Sequence, residues 1–182
     1  MKYVALLRGI GPSNPNMRNE KLRELFQKLG YQNVQTVISS GNVLFESPSR
    51  AVKALETTIE GAIQEHLGFT STTIIRSHHQ MSRLVGASNL WGDFEDTPTT
   101  RLNVTFLKEK QSTDLQFPYN AEKKGYTVVG MHGREVLSVV DLTGATTPDL
   151  MAWLEKQFSK AITTRTWKTV GKILARLESS GR

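Results

Sequence analysis

Two polar stretches near the N-terminus contain the residue types of an anion-binding site. Arg8 and Gly9 directly follow an apolar segment, and Ser40, Gly41 and Asn42 belong to the stretch SSGN. An arginine supplies positive charge and hydrogen-bond donors, and the hydroxyl and backbone N–H groups of such a stretch can surround an anion. Gly and Asn also tolerate positive φ, so SSGN is equally typical of a turn that binds nothing.

A third polar stretch, TTRTWKTVGK at 163–172, precedes and enters the predicted last helix. Thr166 is placed to cap this helix, and Trp167 begins its apolar stripe. Arg165 then lies beside a helix N-terminus, where unbonded N–H groups favour a carboxylate or a phosphate. The structural alternative is an ion pair between Arg165 and an internal acid.

The positive charge is concentrated near the C-terminus. The chain has 182 residues and a net charge of +6, and residues 151–182 contain seven basic and two acidic side chains. Lys168, Lys172 and Arg176 follow at i, i+4 and i+8, so they share one face of the predicted helix. A basic surface of this kind favours an anionic partner such as nucleic acid, although it also suits a solvated surface.

Several classes of site are disfavoured by composition. The chain has no cysteine, which excludes disulfides and thiol catalysis, and its four histidines lack the spacing of a zinc site. The stretch GIGPSN at 9–14 lacks the third glycine of a dinucleotide-binding loop. The acidic stretch DFED at 93–96 is interpreted as a solvated loop. We therefore predict no metal and no cofactor.

The N-terminal apolar run covers only Tyr3 to Leu7. This run is too short for a signal sequence or a membrane span. We therefore expect a cytoplasmic protein with no membrane partner.

The elements of residues 2–76 follow the order β-α-β-β-α-β, which is the ferredoxin-like pattern. In this topology the first strand ends beside the hairpin that joins the second and third strands. Arg8 and Gly9 should therefore lie next to Ser40, Gly41 and Asn42.

Residues 86–100 contain the best boundary between two halves, because a long loop there precedes a further set of strands and helices. We predict an α+β fold with a ferredoxin-like subdomain at 1–88 packed on a second α+β subdomain at 89–182. Both faces of the first strand are apolar, which favours two halves that share a core, with the second half or a partner chain covering the other face.

Helix ends are indicated by short signals. Ser77 and Gln80 have the spacing of a capping box, and Gly30 suits the end of the first helix. Ser47 is predicted to cap the second helix, and Thr147 a helix in the second half.

The stretches ALLRGI at 5–10, VISSGNVLFES at 37–47 and TTRTWKTVGKIL at 163–174 together resemble the bacterial domain-of-unknown-function 1697 family. The resemblance implies an α+β fold built from ferredoxin-like parts and implies no known reaction. The chain differs from the family pattern at Gly11 and Thr166, where the family usually has Asn. The family's recurrent polar positions correspond to Arg8, Gly9, Ser40, Gly41, Asn42, Thr164, Arg165 and Trp167.

The leading hypothesis is a binding module for nucleic acid or a phosphorylated small molecule. The site residues above would contact the anion, and Lys168, Lys172 and Arg176 would add long-range attraction. The first alternative is a small enzyme that acts on an anionic substrate at the same site, with Arg8 stabilising developing charge. The second alternative is that the polar motifs are structural only. Catalytic residues and oligomeric state stay unassigned.

Overall fold

The computed structural model describes residues 1–11, 13–121, 124–144 and 149–179. These residues form an α+β fold with two antiparallel sheets, which confirms the predicted class. The strands are β1 (Lys2–Leu7), β2 (Gln32–Thr36), β3 (Asn42–Glu46), β4 (Thr73–Ser77), β5 (Thr100–Leu107), β6 (Tyr119–Ala121), β7 (Tyr126–His132), β8 (Glu135–Asp141) and β9 (Ile162–Thr166). The helices are α1 (Asn19–Lys28), α2 (Val52–Ala62), α3 (His78–Val85), α4 (Leu150–Gln157) and α5 (Trp167–Ser179).

The chain divides into two compact units. The first unit comprises Met1–Val85 and Gly171–Arg182, and the second comprises Gly86–Val170. Helix α5 thus begins in the second unit and continues into the first, where Lys2 Nζ donates to Leu177 O at 3.1 Å. The subdomain ranges 1–88 and 89–182 placed all of this helix in the second half, and they stay a prediction.

The first unit contains a four-stranded sheet with the order β2-β3-β1-β4. Its strands and α1 and α2 follow the chain order β-α-β-β-α-β. Leucines and a phenylalanine at helical spacing build the buried face of α1, and Gly30 ends this helix in the left-handed region at φ +81°. The N-terminal apolar segment therefore becomes a central strand, with β3 on one side and β4 on the other.

Two of the predicted helix caps differ in their outcome. The capping box at the start of α3 is confirmed, because Gln80 N donates to Ser77 Oγ at 3.2 Å. The predicted cap of α2 was wrong, because Ser47 Oγ accepts from Ser49 N and the helix begins only at Val52. The hydroxyl of Ser47 closes a local turn instead, and this bond competes with an earlier start of the helix.

Both faces of β1 are buried. Tyr3, Ala5 and Leu7 contribute to a core with apolar residues of α1 and α2. Val4 and Leu6, which point to the opposite face, are also fully buried. Their burial agrees with the apolar character of both faces in the sequence, while a core shared by the two halves remains a prediction.

The outer edge of β4 is closed by side chains. Alternate backbone N–H groups of this edge strand donate to side-chain oxygens of neighbouring helices. The pairs are Thr73 N with Glu60 Oε1 at 2.7 Å, Ile75 N with Glu56 Oε1 at 2.9 Å, and Ser77 N with Gln80 Oε1 at 2.9 Å. An open strand edge can pair with a strand of another chain. Because these side chains occupy the N–H groups of β4, they hinder such pairing.

The second unit contains a five-stranded sheet with the order β6-β7-β8-β5-β9. Strand β9 differs from the prediction, in which residues 163–166 only precede and cap the last helix. Its pairing with β5 runs from Leu107↔Ile162 to Asn103↔Thr166. Isoleucine and threonine are β-branched and therefore favour an extended backbone, which explains why the segment forms a strand before α5 begins.

The second core lies against one face of this sheet. Leu150, Leu154 and Phe158 of the α4 segment pack with apolar residues of the strands, among them Tyr126 and Ile162. The predicted cap Thr147 lies outside the described residues.

We expect Glu56→Ala to lower the free energy of unfolding by at least about 1 kcal/mol and by up to about 3, because it removes the acceptor of a buried N–H group. Glu56 is only 2% exposed, so water cannot replace the lost oxygen without rearrangement. Glu56→Gln keeps an acceptor and should be closer to wild type. Urea unfolding measures the effect.

Glu65→Ala is the control, because Glu65 is exposed in the helical segment that continues from α2. It should change the free energy of unfolding by less than about 0.5 kcal/mol. Equal stability of wild type and Glu56→Ala would contradict the assigned role of the carboxylate.

Candidate functional site

The end of β1 meets the β2–β3 hairpin, as the predicted topology requires. Leu7 N donates to Gly41 O at 2.8 Å, and Leu6 is the register partner of Asn42. The segment that contains Arg8 therefore leaves the sheet beside the turn that contains Ser40. The structure brings these two sequence-distant stretches together within the first unit.

Gly41 lies where no side chain fits. Its φ is +73°, and a Cβ built on it would lie 2.6 Å from Ile10 Cγ1 and 3.0 Å from Leu7 Cβ. L-residues rarely adopt this φ, and the neighbouring atoms are near the backbone and cannot swing away. Gly41 is thus required by the approach of the hairpin to the chain that follows β1.

Asn42 closes the hairpin from inside. Its side chain is fully buried, and Nδ2 donates to Val37 O at 2.9 Å and to Ser40 Oγ at 3.0 Å. Val37 N also donates to Asn42 O at 3.0 Å. The amide of Asn42 thus orients Ser40, which is half-buried at the turn.

Ile38 carries backbone strain in the same turn. Its φ is +58°, and its side chain is 45% exposed. A β-branched residue at positive φ is an outlier, and such strain is concentrated at functional sites. The sequence gives no sign of this strain, because the β propensity of isoleucine predicts a strand and not a left-handed backbone at Ile38.

Arg8 is held at its backbone from two directions. Arg8 N donates to Thr72 O at 2.9 Å, and its carbonyl accepts a bond from Ser71 Oγ at 2.8 Å. The residue is half-buried. Gly9 follows in the left-handed region at φ +72°, with no atom within 4 Å of an added Cβ. The backbone is thus fixed at Arg8 and accessible at Gly9.

Arg165 lies in β9 and is 9% exposed. Its Nη1 donates to Thr163 Oγ1 at 2.7 Å and to Thr164 O at 2.9 Å. Burial lowers the pKa of Arg165 to about 10, so the guanidinium still carries its charge at neutral pH. Thr164 Oγ1 makes a hydrogen bond of 2.7 Å with Thr105 Oγ1 on β5.

Trp167 begins α5 and packs edge-to-face on Trp91, with ring centroids 5.3 Å apart. Thr166 caps this helix, because Thr169 N donates to Thr166 Oγ1 at 3.2 Å. The cap prediction is confirmed, and Trp167 contributes its ring to an aromatic pair of the second unit.

The predicted basic face of α5 consists of exposed residues, Lys168, Lys172 and Arg176. Lys168 Nζ lies 3.6 Å from Asp96 Oδ2, and its side chain is 72% exposed. The Asp96 side chain is 14% exposed, so the pair joins an exposed lysine to a largely buried carboxylate.

Two further properties concern the described parts of the chain. No group of three or more His, Asp or Glu side chains within them has the geometry of a metal site. Their helices include none that is long and apolar enough to cross a membrane.

The predicted site residues thus fall into two clusters. Arg8, Gly9, Ser40, Gly41 and Asn42 meet in the first unit, and we call them the Arg8 edge. Thr164, Arg165 and Trp167 belong to the β9–α5 junction of the second unit. A single site that joins both clusters remains a prediction.

We expect Gly41→Ala to lower the free energy of unfolding by about 3 kcal/mol or more, since it combines unfavourable φ with overpacking. Gly9→Ala is the matched control, because it has a similar φ and open space, and it should cost only about 1 kcal/mol. Chemical denaturation of both variants gives the comparison. Equal destabilisation would show that φ alone, and not the contact with Ile10 and Leu7, makes Gly41 necessary.

A solved structure resembles this chain in fold. It is the conserved bacterial protein SP0830 from Streptococcus pneumoniae, which is 21% identical, with a TM-score of 0.71 over 97% of this chain and 98% of that one. At this identity the likeness extends to the fold alone. No curated protein matches the chain.

A family model confirms the resemblance that was drawn from the stretches at 5–10, 37–47 and 163–174. Residues 1–137 match the model described as "Protein of unknown function (DUF1697)". This range contains the Arg8 edge and ends before β9. Because the match covers most of the sequence, the chain belongs to the DUF1697 family.

Proposed function

We propose that the protein is a binding module for an anionic, phosphate-bearing ligand, and that the ligand contacts the Arg8 edge. The observation that carries the proposal is the meeting of the Arg8 segment with the strained β2–β3 turn, joined by the 2.8 Å bond from Leu7 N to Gly41 O. A cation and a turn with hydroxyl groups at one sheet edge are the components of an anion site.

Arg8 supports the proposal through its anchored backbone. The bonds to Thr72 O and from Ser71 Oγ fix the position from which its side chain extends. An arginine on a rigid base loses less conformational freedom on binding a phosphate than one on a mobile loop. It would supply a planar set of donors that suits phosphate oxygens.

The glycine and the serine at this edge support close approach of a ligand. No atom lies within 4 Å of an added Cβ at Gly9, so a ligand can reach the backbone there. Ser40 is oriented through its bond with Asn42 Nδ2 at 3.0 Å. The hydroxyl would add a directed hydrogen bond to the charge of Arg8.

Exposed Lys168, Lys172 and Arg176 support a role for long-range attraction. Surface cations of this kind raise the rate at which an anion arrives and contribute salt-dependent affinity. A long polyanion would contact these residues together, whereas a small phosphorylated molecule would not need them. The salt dependence of binding therefore distinguishes nucleic acid from a small ligand.

Burial favours a structural role for one residue of the predicted site. Arg165 is 9% exposed and donates to its own strand at Thr163 and Thr164. An anion clamp would need an accessible guanidinium. Because Arg8 is half-buried whereas Arg165 is buried, we assign ligand contact to Arg8 and a strand-stabilising role to Arg165.

Arg8→Ala should weaken binding at least tenfold, because it removes the charge that directly faces the anion. The measurement is fluorescence anisotropy of a labelled single-stranded 12-mer RNA across a salt series, with inorganic pyrophosphate in parallel calorimetry. Arg23→Ala removes an equal charge from an exposed position on α1 and should change affinity less than twofold.

Simultaneous replacement of Lys168, Lys172 and Arg176 by alanine should reduce the salt slope for RNA by about one unit for each phosphate that these side chains neutralise. It should leave pyrophosphate binding unchanged. The proposed function would be refuted if neither RNA nor pyrophosphate binds at low salt. It would also be refuted if Arg8→Ala and Arg23→Ala weaken binding equally.

A further inference from the structure

A separate cleft lies within the second unit. Its volume is about 310 Å³, near the lower end of the range for small-molecule pockets. The lining residues are Phe94, Thr100, Asn120, Gly125, Tyr126, Thr127, Val139 and Asp141. Among the described residues, this lining contains one acid and no basic side chain, in a protein with a net charge of +6.

The strands hold the walls of the cleft in a fixed register. Thr100 pairs with Asp141, and Thr127 pairs with Val139. Asp141 N donates to Gly125 O at 2.8 Å. The polar groups of the cleft are therefore presented by paired backbone and not by a loop alone.

Phe94 is positioned by the loop that precedes β5. Phe94 N donates to Trp91 O at 3.1 Å, and Thr100 Oγ1 donates to Glu95 O at 2.8 Å. These bonds hold the loop backbone at Phe94 and at the next residue along the chain. Phe94 is 37% exposed. An exposed aromatic ring on a backbone held in this way offers a π face to a cation or to an apolar group.

The carboxylate of Asp141, an exposed residue, is oriented by two hydrogen bonds. Its Oδ1 accepts bonds from Thr143 Oγ1 at 2.6 Å and from Thr143 N at 2.8 Å. These two bonds lower the pKa of Asp141, so the group is ionised at neutral pH. Within the described residues, no hydrogen bond or ion pair engages Oδ2, which leaves an acceptor oxygen for a ligand.

We propose that this cleft binds a small organic cation, with a primary ammonium or guanidinium group on Asp141 Oδ2 and its apolar part against Phe94. Thr127 and Asn120, which are register partners joined by a 3.4 Å bond from Thr127 Oγ1 to Asn120 Oδ1, provide further hydrogen-bonding groups in the lining. The volume suits a molecule the size of an amino acid or a short amine. None of the lining residues named above belongs to the Arg8 edge.

The test is amide chemical-shift mapping of the isotope-labelled full chain with benzylamine and butylguanidine. Benzyl alcohol is the neutral isostere, and butyrate is the anionic control. We expect the cations to cause saturable shifts at Thr127, Val139 and Asp141 at millimolar concentration or below, and the two controls to cause none.

Asp141→Asn should weaken cation binding at least tenfold, since it removes the charge and keeps an oxygen for Thr143. Asp114→Asn makes the same charge change at an exposed position outside the lining and should leave affinity within twofold. Phe94→Leu should weaken benzylamine severalfold.

Similar shifts with benzyl alcohol and benzylamine would overturn the assignment of a cation. Absence of saturable shifts with either cation, or equally weakened binding in Asp141→Asn and Asp114→Asn, would overturn the site. Each of these results is independent of whether RNA or pyrophosphate binds.

Discussion

The close approach of two chain segments at Gly41 is the constraint on which the first unit depends. The carbonyl of Gly41 accepts the bond from Leu7 N, and its missing side chain makes room for Ile10 and Leu7. If the hairpin moved outward to admit a Cβ, the last bond between β1 and the hairpin would lengthen. Arg8 would then leave the sheet at a different point. The position of the proposed anion site is thus a consequence of one backbone contact.

The protein closes strand edges with its own side chains. Glu56 and Glu60 are four residues apart on α2, a rise of about 6 Å, and they meet N–H groups two residues apart on β4, a spacing of about 6.7 Å. Because these two spacings nearly match, carboxylates of one helix can accept hydrogen bonds from alternate N–H groups of one strand. On β9, Arg165 bonds to Thr164 O of its own strand. Charged groups at these positions combine hydrogen bonding with protection from unwanted pairing.

The sequence predicts those parts of the molecule that have a periodic or local signal, such as the apolar spacing of α1 and the capping box of α3. The convergence of Arg8 with the hairpin also follows, because strand order fixes it and the apolar pattern indicates that order. The burial of Arg165 could not be predicted, because it depends on neighbouring strands that the local sequence does not reveal. The cleft was missed for the same reason. Phe94 and Asp141 are distant in sequence, and only the pairing of β5 with β8 brings their segments together.

Net charge is a poor guide to what each site binds. The charge of +6 acts over distances that salt screens beyond about 8–10 Å, whereas a bound group responds to the atoms in contact with it. At Asp141, two bonds from Thr143 stabilise the carboxylate regardless of distant lysines. At the Arg8 edge, bonds with Thr72 O and Ser71 Oγ anchor the backbone of Arg8, and the proposed anion would contact its guanidinium. The two proposals therefore place sites of opposite sign on one basic chain, because the sign of each site is set by the charged side chain that would contact the ligand.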